Sequence, residues 1–410
     1  MGKELAYFGS SPAFKSEPSD PFEAVSPYVF EHVSRRLAEG RISTIDGDEL
    51  DLFERRGAEF FGAKYGAAMC TGTAAIHAVL VALGIGPGDE VIVATYAYHA
   101  TVLPICVVGA KPVFADINRH TLTIDPADVE HRITSRTKAI MVLHPWGNLA
   151  DVDSFVKIRE HYRVPIIADA SHAHGATWDG KPLGAFFDVV VASFGKGKLI
   201  SGGELGLLAC NDRRIQQTAI AYFHPNRVPK ALVDPELKHF SNAFSIKYRP
   251  HALATSIALR RLDEYPSLFS RLVQQGDLFS KQVAELPGFR AVSSYKKARR
   301  AYWKMCVCID TEYFHGIPIQ MIVDLLSAEG IPARLSYYFP LMHEMNVVTE
   351  HYGLVCEENF PASNAVRQEM VQFYHHFLLE DDSFSKVLNV FAAISDSREV
   401  IRHAVDARSL

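Results

Sequence analysis

This chain of 410 residues has no excess of basic charge: 42 Lys and Arg stand against 47 Asp and Glu, a formal net charge of −5. That balance excludes a generic nucleic-acid or anionic-membrane binder. Charge-rich, apolar-poor tracts are also missing. With 48% hydrophobic and 22% charged residues, the composition is that of a chain with a sizeable core and excludes wholesale disorder. The six cysteines, Cys70, Cys106, Cys210, Cys306, Cys308 and Cys356, show no CxxC spacing, so neither a disulfide framework nor a zinc site is indicated, and no metal is expected. Cys306 and Cys308 alternate in the strand-like run WKMCVCI and read as packing residues on one face. The start, MGKELAYFGSSPAF, lacks both a cleavable apolar leader and the hydroxyl residue that myristoylation prefers, so a cytoplasmic location is expected. One stretch, residues 91–110, carries no charge at all and is about as long as a membrane span.

What is present is alternation. Short runs of β-branched residues recur as GAAMC (66–70), EVIVA (90–94), KPVFAD (111–116), TKAIMVLH (137–144), VPIIAD (164–169), DVVVASF (188–194) and ELGLLAC (204–210), with helical or loop segments between them. This pattern predicts a mostly parallel sheet covered on both faces. The uncharged run then divides into a buried strand ending near Ala94, a polar turn holding Thr95, Tyr98, His99 and Thr101, and a short buried helix interrupted by Pro104. Beyond residue 250 the sequence reads as a long helix interrupted near Pro266, followed by a strand-helix-strand pattern. The expected division is an N-terminal extension (1–20), a large α/β domain (21–260) and a smaller α+β domain (261–410).

Familiar catalytic motifs fail on context. GIGPGDE (84–90) follows a helix instead of leaving a strand, GKGK (195–198) lacks P-loop spacing, and neither HExxH nor GxSxG occurs. Four features at strand ends remain. Cys70-Thr71-Gly72-Thr73 opens a helix and suits an anion, although a simple Thr cap explains it equally. Asp169 ends a fully apolar strand, where a carboxylate needs a partner. It would serve either to hold a ring nitrogen protonated or as a turn cap. Lys198, with Lys196 as rival, sits in the glycine-rich loop after Ser193 and suits an amine nucleophile. Tyr96 and Tyr98 follow the second strand, where an aromatic ring can lie on a planar cofactor or pack in the core. Anion cup, ring, acid and lysine together are the parts of a pyridoxal phosphate site.

The chain resembles the DegT/DnrJ/StrS family of pyridoxal-phosphate sugar aminotransferases, which have the aspartate-aminotransferase type I fold. The resemblance rests on ordered segments that include GDELDLFERRGAEFFGAKYGAAMCTGTAAIHAVLVALGIGPGDEVIV, HPWGN, ADASHAHGA, SFGKGKLISGGELG, YRPHALATSIALRRLDE and EGIPARLSYYFPL. It implies that Lys198 carries pyridoxal 5'-phosphate covalently and that Asp169 pairs with the pyridine nitrogen. Gly72, Thr73 and Ser193 match phosphate-binding positions, and Tyr98 matches the aromatic that stacks on the ring. Lys247-Tyr248-Arg249 matches a segment that reaches a neighbouring site in a homodimer with shared active sites. Three positions depart from the family pattern: His172 where Gln is frequent, Lys247 for Asn, and Leu205 for Gly. The branch most resembled aminates keto-sugars and keto-cyclitols in antibiotic pathways with glutamate or glutamine as donor. A dehydratase would be expected to carry His in place of Lys198, and a non-catalytic regulatory relative would not be expected to retain Lys198, Asp169 and Thr73. AYFGSSPAF, SYYFP (336–340) and FYHHFLL (373–379) are expected to line the acceptor pocket, with His375 and His376 either lining it or packed inside.

Overall fold

The computed structural model describes residues 4–44, 48–227, 234–239, 245–336, 338–353, 359–380 and 382–407. Tyr337 and Cys356 lie outside these residues. Seven strands, β1 (Tyr65–Met69), β2 (Glu90–Ala94), β3 (Lys111–Ala115), β4 (Thr137–Leu143), β5 (Ile166–Asp169), β6 (Val189–Ser193) and β7 (Gly206–Cys210), form the large sheet. Its order is β1-β7-β6-β5-β4-β2-β3. β3, β2, β4, β5 and β6 run parallel, and β7 pairs antiparallel with both β6 and β1. Each strand is an apolar run because helices cover both faces, leaving no solvated side for polar alternation. Every residue of β2, β5 and β7 is buried. The mostly parallel α/β architecture expected from the sequence is therefore the one observed.

The uncharged stretch 91–110 is used twice, as β2 and as the helix α2 (His99–Val107), which runs on through Pro104. Among the described residues no helix is long and apolar enough to cross a membrane. The long helix α4 (Ala252–Val283) likewise continues through Pro266, where the sequence suggests an interruption. A proline inside a helix removes one backbone donor and crowds the preceding turn. Here Leu259, Leu262, Tyr265, Phe269, Leu272 and Val273 bury one continuous face of α4 on both sides of it, so packing outweighs the local penalty.

A second, antiparallel sheet follows: β8 (Phe289–Ala291), β9 (Lys304–Ile309), β10 (Arg334–Leu335) and β11 (Met370–Tyr374), in the order β8-β9-β11-β10. Cys306 and Cys308 are buried within β9. Buried polar bonds fasten this half to the first. The Tyr96 hydroxyl meets Ser336 Oγ at 2.8 Å, and Asp116 accepts from Ala362 N at 2.9 Å and from Ser363 Oγ at 2.6 Å.

Between β1 and the helix α1 (Gly72–Ala82) the backbone comes very close to the sheet. A Cβ at Gly206 would lie 2.1 Å from Thr71 O and 2.6 Å from Gly72 N, and a Cβ at Gly72 would lie 2.8 Å from Ser193 Cβ. Because the obstacle at Gly206 is backbone, no side-chain rotation relieves it. Gly206→Ala is expected to cost about 3 kcal/mol, the upper part of the usual overpacking range, in urea unfolding; a loss below 0.5 kcal/mol by that measure would refute this account of the contact.

Candidate active site

The C-terminal ends of the parallel strands open into a cleft of about 580 Å³, the usual position for a ligand in an open α/β sheet. Thr71 has extended backbone and caps α1 by accepting from Ala74 N at 3.0 Å. The cap reading of this motif is thus realised at Thr71. Gly72 and Thr73 form the first turn and line the cleft, where a helix start carries amides without intrahelical acceptors and a partial positive charge. The absence of a side chain at Gly72 lets that turn lie against Ser193.

Asp169 ends β5 and is 3% exposed. Its Oδ2 accepts from Thr101 Oγ1 at 2.9 Å and its Oδ1 from Ser171 N at 3.0 Å. Both oxygens are therefore held by neighbouring elements, which fixes the direction of the carboxyl group into the cleft. Ser171 Oγ in turn accepts from Ser193 N at 3.1 Å, tying the β5 and β6 loops together.

Lys198 lies on the loop after β6. Phe194 N donates to Leu205 O and Gly202 N to Phe194 O, both at 2.7 Å, so the loop closes on its own backbone with Leu205 fully buried. Lys198 Nζ stands 4.4 Å from the centre of the Trp303 ring. Burial pushes its amine down to about 8, against the opposing pull of Asp169. Lys196, the rival in the sequence, also borders the cleft but is exposed. Tyr98, 46% exposed, precedes α2 and forms another wall. Tyr96 is instead a core residue, accepting from Trp146 Nε1 at 3.1 Å.

His172 is stacked on Trp303, with ring centres 3.6 Å apart and planes 17° apart. Its Nδ1 faces the Tyr338 hydroxyl at 3.1 Å, and burial together with Lys198 holds the imidazole well below its ordinary pKa, in the neutral form. The structure thus gathers Gly72, Thr73, Tyr98, Asp169, His172, Ser193 and Lys198 around one cleft. Lys247 and Arg249 lie outside it. Lys247 is exposed and Arg249 donates to Pro225 O at 3.3 Å, beside Tyr248, whose carbonyl accepts from Cys70 N at 2.6 Å.

Trp303, Lys304 and Glu23 also line the cleft and were not singled out by sequence reasoning. Lys304 left a signal: it is the one charge in the buried strand KMCVCI. It is 5% exposed, its ammonium lies 3.0 Å from the centre of the Tyr374 ring, and burial pushes it down to about 7. Tyr338 and Tyr374 line the cleft from the two expected C-terminal segments. The N-terminal segment AYFGSSPAF does not. Ala6 N and Ala13 N both donate to the Glu329 carboxylate at 2.8 Å, and Phe14 packs against Phe377, so this segment is committed to the second half of the molecule. His375 and His376 are buried beside the cleft without lining it.

The donor set suits pyridoxal phosphate: a helix start that tolerates no Cβ, a carboxyl fixed by two donors, and a lysine amine with lowered proton affinity face one space. That lysine costs stability. Below about pH 8 it is protonated in both folded and unfolded chains, and the whole cost of burying the charge is present. Between about 8 and 10.5 the unfolded chain binds a proton that the folded one lacks, so stability rises with pH. Lys198→Met should therefore stabilise the cofactor-free protein at pH 7 by roughly 3 kcal/mol. Urea unfolding should show that gain shrinking across the same interval; a pH-independent difference would contradict the buried-amine account.

Comparison with known proteins places the chain. The pattern of the DegT/DnrJ/EryC1/StrS aminotransferase family matches residues 28–392. The chain is similar to an L-glutamine:scyllo-inosose aminotransferase of Streptomyces griseus, 28% identical over 374 residues, covering 86% of this chain and 88% of that protein. It is also similar to a GDP-perosamine synthase of Caulobacter vibrioides, 31% identical over 312 residues, covering 75% and 79% of the two chains. Among solved structures, a 3-amino-5-hydroxybenzoic acid synthase superposes with a TM-score of 0.82 at 26% identity, over 94% of this chain and all of that one. The chain therefore belongs to the DegT/DnrJ/EryC1/StrS aminotransferase family and is a pyridoxal-phosphate-dependent aminotransferase.

Proposed function

We propose that this enzyme moves an amino group from glutamine or glutamate to a ketone carbon of a cyclitol or sugar in the assembly of a secondary metabolite such as an antibiotic. The observation that carries the reading is the convergence of the Lys198 amine and the fixed Asp169 carboxyl on one cleft that also holds a helix start. The names of the two curated relatives support a keto-cyclitol or keto-sugar acceptor. When bound, pyridoxal phosphate supplies an electron sink and a temporary seat for the amino group.

In this proposal Lys198 holds the cofactor between turnovers. Once displaced by the donor, its Nζ takes the proton from the donor's α-carbon and delivers it back within the same cleft. The lowered proton affinity of the amine suits that task, since an amine at about 8 is partly unprotonated near neutrality. Asp169 keeps a proton on the ring nitrogen, and Thr101 and Ser171 keep Asp169 in place. The α1 start at Gly72 and Thr73, with Ser193, would hold the phosphate, and Tyr98 and His172 would contact the ring from the walls of the same cleft. Lys247 and Arg249 are assigned to the phosphate in the neighbouring subunit of a homodimer, in keeping with their position outside their own cleft. Lys304, a buried amine facing the same space, binds the carboxylate of the amino donor in its protonated form.

Retention of a lysine at 198 favours amino transfer over dehydration. Lys198→Ala should keep its fold by circular dichroism and lose turnover by at least about 1,000-fold; substantial turnover in that variant would defeat the assignment. Lys304→Met should raise KM for glutamine about tenfold or more while leaving KM for the ketone acceptor unchanged, as expected for loss of a charge-assisted hydrogen bond. An equal rise in both constants would place Lys304 elsewhere in the reaction.

A further inference from the structure

Beside the cleft, outside the residues assigned above, Asp20 faces the two adjacent histidines His375 and His376. The imidazoles are 2% and 3% exposed. His375 Nδ1 is 2.8 Å from Trp303 O, and a carbonyl only accepts, so Nδ1 carries the proton. His376 Nε2 is 2.9 Å from a carboxylate oxygen of Glu17, so it too is the donor. In the neutral rings, the lone pairs then sit on His375 Nε2 and His376 Nδ1. Neither of these buried nitrogens has a hydrogen-bond partner. Asp20 lies beside both: His375 Nε2 is 3.6 Å from its Oδ1, and His376 Nδ1 is 3.4 Å from its Oδ2.

In a buried site this arrangement calls for positive charge, either protons on the two rings, which makes ion pairs with Asp20, or a metal ion shared by the three groups. The ligand atoms of all three residues lie within 4.8 Å of one another. Tetrahedral zinc with bonds near 2.0–2.1 Å needs ligand atoms about 3.3–3.4 Å apart; the two nitrogen–oxygen distances, 3.6 and 3.4 Å, are close to that, each to a different oxygen of Asp20. Both rings also have the outer support that metal-binding histidines use, the second nitrogen being pinned by a carbonyl or a carboxylate. Phe22 packs edge-on against His375 with ring centres 5.1 Å apart, and Phe377 lies 5.1 Å from His376, so aromatic walls restrict water.

We propose that Asp20, His375 and His376 bind a divalent metal ion, zinc(II), which takes two imidazoles and one carboxylate with a single water as fourth ligand. The site is structural and separate from the amino-transfer chemistry. It clips the N-terminal segment carrying Asp20 to the end of β11, and so positions Glu23, which lines the cleft, and the Trp303 carbonyl, which holds His375. Zinc chemistry was not expected from the cysteine pattern, because the ligands here are histidines and an aspartate far apart in the chain.

The test uses tag-free holoenzyme stripped with a chelator and titrated with zinc(II) by calorimetry, and with cobalt(II) by visible absorption. The expected result is one ion per chain, a rise in melting temperature on binding, and the intense d–d bands of tetrahedral cobalt. Asp20→Asn and His376→Gln should each weaken binding at least about 100-fold, the upper end of what even outer-sphere losses cause. Should either variant fail to fold, the cobalt spectrum of the unaltered enzyme still decides. Absence of stoichiometric binding, an octahedral cobalt spectrum, or binding undiminished in folded variants would each overturn the proposal. Loss of turnover in the Lys198 variant has no bearing on this site, so the two readings stand or fall separately.

Discussion

The approach of the α1 start to the ends of β6 and β7 is the constraint on which the rest of the site depends. Thr71 and Gly72 press against Gly206 and Ser193 with no room for a Cβ at either glycine. That contact sets the depth of the helix start over the sheet, and hence the distance from its amides to everything else at the strand ends. Helix dipoles and free amides act only within about a turn of the terminus. A helix set back by the width of one methyl group would still fold, yet its amides would reach the cleft more weakly. Two glycines thus set a generic helix start hard against the strand ends, within reach of the cleft.

Given that anchor, the remaining groups acquire their properties from burial. Lys198 and Lys304 both lose proton affinity because the cleft is walled by Trp303, Tyr374 and Tyr338 instead of water. Lys198 also disfavours the charge on Lys304. In an ordinary core such residues would be a defect. Here the same desolvation that costs folding free energy leaves an amine able to give and take protons near neutral pH. Asp169 meets the problem of a buried carboxyl differently, through two donors that hold it in one orientation.

Much of this was legible in the sequence because it is local. Seven apolar runs marked seven strands, and Gly72, Thr73, Asp169, Ser193 and Lys198 announced themselves by sitting at or just after their ends. What stayed hidden depends on distant pairing. Trp303 stacks on His172, which precedes it by more than a hundred positions, and no periodicity records that meeting. Lys304 could have been suspected, since a charge inside a fully buried strand needs a reason. The N-terminal AYFGSSPAF misled because its aromatics look like a pocket wall, whereas Glu329 captures its backbone amides. Pro104 and Pro266 misled in the opposite way: a local rule about proline gave way to the burial of long apolar faces.

The distribution of buried polar bonds between the two halves bears on how the cleft is shaped. Trp146, Tyr96, Ser336, His172 and Tyr338 form a connected set, through the Tyr96 bonds to Trp146 and Ser336, the bond from Tyr338 N to Ser336 Oγ at 3.2 Å and the bond from the Tyr338 hydroxyl to His172. The set crosses from the β2 and β5 loops of the large sheet to the segment after β10. Its members are buried, so breaking it to swing the halves apart would leave several polar groups unsatisfied at a cost of roughly 1–3 kcal/mol each. Hinge opening as a route for substrate is therefore disfavoured. On the Tyr98 side of the cleft, where the ring is half exposed, the described residues show no such network. Entry on that side exchanges surface contacts only, and it leaves the positions of Lys198 and Asp169 undisturbed.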